Sequence, residues 1–138
     1  MIYVFDTSFV GAQIIPDEDQ QADKLYGKIK YDDARYAPQL LWYEIANLFK
    51  NLLRRKRYTF EEVQQFFLFL AAIRITCDNE TGIEYSKKLL RLCNDYNLSS
   101  YNAAYLELAE RKSAVLCTLD ENLRAAAKKH GVAVLKQT

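Results

Sequence analysis

Apolar positions along this chain follow two alternating rhythms. Short runs rich in β-formers occupy residues 2–5, 73–77, 114–117 and 132–135, with a weaker candidate at 35–37, and they read as strands. The segments between them carry helical spacing. Leu41, Ile45, Leu48 and Leu52 recur at intervals that align them on one helical face. Val63, Phe66, Phe67 and Leu70 do the same after Thr59, a suitable N-cap with Glu62 placed to close a capping box. Leu89, Leu92 and Cys93 mark a helix beginning near Thr81, another opens at Ser99 or Ser100, and the last opens at Asp120 and ends near Gly131. Strands alternating with helices predict an α/β fold, a parallel sheet covered on both faces with any site at the carboxyl ends of its strands.

Four of these junctions and helix faces carry an acid or an amide. Asp6 follows the first apolar strand, and Asp120 repeats that grammar with Thr118 just before it. Each alone is explained as well by helix capping as by chemistry. Glu44 lies ~60° from the centre of the stripe made by Leu41, Ile45, Leu48 and Leu52, and a carboxylate so close to a buried face needs a partner. That partner is either an Arg or Lys in an ion pair, or a cation or amide-lined cleft. Asn102 falls in the first turn of its helix on the side of Leu106 and Ala109, where an amide can satisfy backbone groups. Taken together the positions point elsewhere. The ends of parallel strands converge on one cleft, where three acids would repel one another unless a hard divalent cation joined them. Mg²⁺ takes one or two carboxylates and several waters, leaving positions for phosphate oxygens, and two such ions could clamp an in-line displacement.

Composition narrows the alternatives. At 138 residues, half hydrophobic and 27% charged, the chain is expected to fold as one domain spanning residues 1–138. Nineteen basic against eighteen acidic residues give a net charge of +1, so any nucleic-acid contact must come from a local patch. Lys50, Arg54, Arg55, Lys56 and Arg57 form the dense basic cluster, suited both to a helix carbonyl end and to RNA phosphates. Cys77, Cys93 and Cys117 are odd in number and lack a Cys-x-x-Cys pair, which suits reduced thiols and a cytoplasmic location. The N-terminus lacks a basic leader, and no apolar run approaches ~18 residues, so a soluble, unexported protein is expected. A single histidine, His130, offers no histidine metal site. Four glycines without a Gly-rich phosphate loop argue against a nucleotide-binding enzyme.

Four stretches in order carry a family resemblance: Asp6-Thr7-Ser8 after the first strand; Tyr43-Glu44-Ile45-Ala46-Asn47; Leu98-Ser99-Ser100-Tyr101-Asn102-Ala103-Ala104-Tyr105-Leu106; and Thr118-Leu119-Asp120-Glu121-Asn122-Leu123 before Gly131-Val132. With them the whole chain resembles the PIN-domain nucleases, and within these the VapC toxins of toxin–antitoxin pairs. The resemblance implies a parallel sheet of about five strands, dependence on Mg²⁺ or Mn²⁺, and endonucleolytic cleavage of RNA. It also implies Asp6 and Asp120 as metal ligands, Glu44 as the carboxylate acting on the attacking water, and Ser8 and Thr118 in support. A cognate antitoxin and a homodimer are the partners it suggests, and the crowded rings Phe60, Phe66, Phe67 and Phe69 would offer the antitoxin an apolar surface. Asn102 departs from the pattern, which usually has Asp there. The loss of one anion should weaken the grip on metal and impair cleavage.

Two rivals follow. A silent PIN domain would bind RNA or an antitoxin without cutting. A receiver-like phosphoacceptor would need adjacent acids after the first strand, whereas Asp6 is followed by Thr7.

Overall fold

The computed structural model of the protein describes residues 1–16 and 26–136. Four strands, β1 (Ile2–Phe5), β2 (Ala34–Pro38), β3 (Thr76–Asp78) and β4 (Val115–Cys117), form one sheet in the order β3-β2-β1-β4. Every pairing is parallel, with Val4 opposite Tyr36 on one side and Leu116 on the other. Among the described residues six helices connect and cover the strands: α1 (Thr7–Ile14), α2 (Leu40–Arg54), α3 (Phe60–Ile73), α4 (Ile83–Tyr96), α5 (Ser100–Arg111) and α6 (Glu121–His130).

Alternation along β1 explains the two-sided core. Tyr3 and Phe5 point into the cluster under α1, α2 and α3, with Phe9, Leu41, Ile45, Phe49 and Phe66. Val4 points the other way, into the cluster under α5 and α6 with Leu106, Leu108, Leu116 and Leu123. A strand buried on both faces reads as an unbroken apolar run, as Ile2 to Phe5 does. Among the described residues no helix is long and apolar enough to cross a membrane.

Several element boundaries differ from expectation. Ile73 belongs to the end of α3, where it is buried against the core, and Arg74 closes that helix in a left-handed conformation at φ 60°. The strand therefore starts later, at Thr76, because the packing of Ile73 on the helical face outweighs its β propensity. The segment 132–135 touches the sheet through one parallel bridge, Leu116 to Val134, so it is an incomplete fifth strand at the edge. Ala114 precedes β4 rather than opening it, and the helix expected near Thr81 begins at Ile83.

The helix starts are as the side chains dictate. Thr59 and Glu62 form a reciprocal capping box, Ser99 caps α5 through the Asn102 N–H, and Asp120 caps α6. Thr59→Ala should lower the free energy of unfolding by about 1 kcal/mol, readable as a shifted urea midpoint with an unchanged slope.

Candidate active site

β1 lies between β2 and β4, and the chain leaves β1 towards β2 but leaves β4 towards the edge segment on the other side, so a crevice opens above the carboxyl ends of β1 and β4. Asp6 leaves β1 into that crevice and Thr118 to Asp120 leave β4. The two junctions are sewn together. The Asp6 backbone N–H donates to the Cys117 carbonyl at 3.1 Å. Asp6 Oδ1 accepts from Ser8 Oγ at 2.7 Å and from the Phe9 N–H at 2.9 Å, while Oδ2 accepts a short bond from Thr118 Oγ1. Ser8 Oγ in turn accepts from the Leu119 N–H, and Thr118 Oγ1 from the Asp120 N–H. Arg124, on α6, donates to the Thr118 carbonyl at 2.7 Å. Asp6 is thus both helix cap and the centre of a polar cluster.

Electrostatics show strain at this carboxylate. Asp6 is 4% exposed. Burial pushes its pKa up to about 6 against the pull of the Thr118, Ser8 and Phe9 donors, and the neighbouring Asp120 adds repulsion. Cys117, beneath it and fully buried, is also pushed up, mainly by burial and further by the Asp6 charge.

Glu44 reaches the cleft from the first turn and a half of α2. Its Oε1 accepts from Tyr105 Oη at 2.6 Å and from Thr7 Oγ1 at 2.8 Å, and the two hydroxyls lie 3.0 Å apart. Among the described residues the carboxylate has no Arg or Lys ion-pair partner of the kind considered from sequence. Two hydroxyls hold it instead, one of them adjacent in sequence to Asp6. Tyr105 is 1% exposed, and burial together with the Glu44 carboxylate raises its pKa, so its proton stays in place as a donor.

Asn102 stands in the first turn of α5, partly exposed, its backbone N–H bound to Ser99 Oγ. It shares that helix with Tyr105, one turn further on and bonded to Glu44. The basic cluster is placed differently. Lys50 on α2 and Arg54, Arg55, Lys56 and Arg57 around its far end are exposed, with Arg54 ~15 Å along the helix axis from Glu44.

Among the described residues, no group of three His, Cys, Asp or Glu side chains is arranged to hold a metal ion. Asp120 lies close enough for its charge to raise the pKa of Asp6, and Glu44 is joined through Thr7 to the residue after Asp6. A buried carboxylate repelled by its neighbour fits a hard cation, and two carboxylates with water are a sufficient set for Mg²⁺. Residue reasoning missed Tyr105 and Arg124 here. A tyrosine one turn beyond Asn102 on the same helix was a usable signal for the former. Arg124 sits one turn after Asp120, but nothing in sequence says that its guanidinium turns toward a backbone carbonyl.

On α3, Phe60, Phe67, Leu68 and Phe69 are exposed while Phe66 is buried. His130 packs edge-on to Tyr96, its Nδ1 2.7 Å from the phenol and its Nε2 against Glu110.

Comparison with known proteins agrees with this architecture. The chain is similar over nearly its whole length to PAE2754 from Pyrobaculum aerophilum, at 22% identity, 98% coverage of this chain and 92% of that one, with a TM-score of 0.70. It is similar to Mycobacterium tuberculosis VapC20, a sarcin-ricin loop cleaving toxin, at 17% identity, 91% and 95% coverage and a TM-score of 0.64. A toxin–antitoxin complex from Klebsiella pneumoniae matches at 15% identity, 86% coverage of each chain and a TM-score of 0.61. No functionally curated protein matches by sequence. The family model described as PIN domain aligns with residues 3–129, from the strand that delivers Asp6 through the helix that Asp120 caps, and the chain belongs to the PIN-domain family.

Proposed function

We propose that the chain is a metal-dependent endoribonuclease of VapC type, the toxin of a toxin–antitoxin pair, with activity impaired by Asn102. The observation that carries this reading is the buried Asp6 carboxylate at the crevice, its pKa raised by burial and further by the Asp120 charge, with Glu44 bonded to the neighbouring Thr7. Asp6 and Asp120 would hold Mg²⁺ or Mn²⁺, which when bound supplies positive charge against a phosphodiester and makes water more acidic. Ser8 and Thr118 fix both oxygens of Asp6. Thr7 and Tyr105 fix Oε1 of Glu44, leaving Oε2 to take the proton of the attacking water. The water oxygen bonds to phosphorus, the bond to the leaving oxygen breaks, and solvent returns a proton to that oxygen.

An RNA target and an antitoxin both suit a cytoplasmic protein. The toxin–antitoxin relative and the exposed rings of α3 support an antitoxin partner, and a homodimer is in keeping with that reading. Lys50 and Arg54 to Arg57 would contact RNA backbone remote from the cut.

Calorimetric Mn²⁺ titration of this chain beside Asn102→Asp tests the site. The aspartate form should bind about 10-fold to 100-fold more tightly and cleave RNA faster. Equal affinities would show that residue 102 does not face the ion. The amide itself favours one second reading, a PIN domain that binds RNA or an antitoxin without cutting. That reading prevails if Asn102→Asp binds Mn²⁺ yet cleaves no RNA.

A further inference from the structure

Beside Asp120 the outer face of α6 and the edge segment 132–136 enclose a groove lined by Glu121, Arg124, Lys128, Val132, Val134 and Lys136. Its one carboxylate stands against three cations. The segment runs parallel to β4, with Val134 level with Leu116, so Lys136 stands at the carboxyl-end level of Thr118. Lys28 adds a further cation there, its Nζ 3.4 Å from the Lys136 carbonyl. The upper end of the groove therefore adjoins the crevice.

Arg124 is the informative member. It is 8% exposed, yet its guanidinium forms no ion pair among the described residues and donates to a backbone carbonyl, with Nε buried and unbonded. A guanidinium presents five N–H donors in a planar fork matched to phosphate, and burying one without an anion is costly. Core positions of this kind are normally neutral or paired with a carboxylate. The Thr118 carbonyl accounts for one N–H, and no carboxylate among the described residues forms an ion pair with the guanidinium.

We propose that this groove is a phosphate subsite for the RNA backbone, in which Arg124, Lys128 and Lys136 seat a phosphate flanking the one at Asp6 and Asp120. The inference rests on the nuclease reading for its substrate class, but RNA binding is measured separately from cleavage. The position also explains how the strand could be aligned over the crevice, a task for which the cluster at Arg54 to Arg57 lies far from Glu44. Phosphate contacts fix register and carry no base preference.

The test is fluorescence anisotropy of a labelled single-stranded oligouridine in EDTA, across a salt series, with the full chain, Lys128→Ala/Lys136→Ala, and a control pair Lys87→Ala/Lys88→Ala on α4. Both lysines are exposed, so the fold is not at risk, and thermal denaturation checks it. The groove variant should bind about 5-fold to 10-fold more weakly near 0.1 M salt. Its log–log salt slope should be shallower by roughly 1.4, the value for two phosphate contacts on a single strand. The control pair should leave both unchanged. An equal loss in both variants, an unchanged slope in the groove variant, or no RNA binding by the full chain overturns the inference. So does binding of polyglutamate, with no RNA binding, at the same lysines, which would mark the groove as a seat for an acidic protein segment. RNA binding lost with the groove lysines, alongside an Asn102→Asp chain that never cuts, would sink the nuclease reading and leave the subsite standing.

Discussion

Asp6→Asn, introduced into the Asn102→Asp chain, should reduce Mn²⁺-dependent RNA cleavage by about 10²-fold or more while leaving the fold as stable as before, or more so, near pH 7. Loss of activity follows from removing one of two anions assigned to the ion, since even partners that merely orient a ligand cost 10-fold to 100-fold. Retained stability follows from the bonds around the residue. Asparagine caps helices as well as aspartate does, and its carbonyl can still accept from Ser8 and Phe9 where Oδ1 did. Its NH₂ then faces Thr118 Oγ1, a hydroxyl with lone pairs for both this donor and the Asp120 N–H.

The pH dependence has an unusual direction. The folded pKa of Asp6 is raised from 3.8 to about 6, so the folded state holds the proton more tightly than the unfolded chain does. The contribution of this group to stability is fully present below about pH 4 and is lost as pH rises through 6, by about 3 kcal/mol in all. In EDTA, urea unfolding of the parent chain should therefore show this loss between pH 4 and 7, and Asp6→Asn should not. Parallel pH profiles for the two proteins would contradict the assignment of a strained carboxylate at this position. Divalent cations should reverse the loss at pH 7 in the parent chain, because they bind the ionised form.

Arg111→Met should lower the free energy of unfolding by about 3 kcal/mol. Arg111, the last residue of α5, bonds Asp78 at the end of edge strand β3 through two nitrogens, at 2.9 and 2.7 Å. It also bonds Glu107, one turn back, at 2.8 to 3.3 Å. The side chain of Glu107 is 5% exposed and that of Asp78 12%, so removing the guanidinium leaves two carboxylates facing each other with little water. Those bonds hold Asp78 below the usual carboxylate range. Its stabilising contribution is present at neutral pH and lost as pH falls through that depressed value. The deficit of the variant should accordingly shrink as pH falls through that depressed range, where Asp78 takes a proton. A deficit that persists in acid would assign the loss to packing of the arginine stem and not to the ion pairs.

The helical faces and their caps were legible in the chain because they depend on neighbours within a turn. Leu41, Ile45 and Leu52 are buried as their spacing requires, and Thr59, Ser99 and Asp120 cap where they stand. The residues Asp6, Glu44 and Asp120 were legible too, since a carboxylate beside an apolar run needs explanation wherever it occurs. Short edge strands were not. Ile73 carries a β-branched side chain suited to either element, and only its seat in the core under α1 to α3 made it helical. Residues 132–135 have the composition of a strand but meet a single neighbour at the sheet edge, so their pairing is set by what lies beside them.

Sequence by itself determined the α/β alternation, the caps and which acids were candidates for chemistry, because these follow from periodicities of two and 3.6 residues and from side-chain chemistry. Tertiary structure alone decided who touches whom. It put Tyr105 and Thr7, 98 residues apart, on one oxygen of Glu44, and Thr118, 112 residues from Asp6, on its second oxygen. It also buried Arg124 and Glu107, two charges that a helical wheel would leave in water. The physical reason is that strand order places distant junctions side by side, and burial sets the charge of a group only once those neighbours are in place.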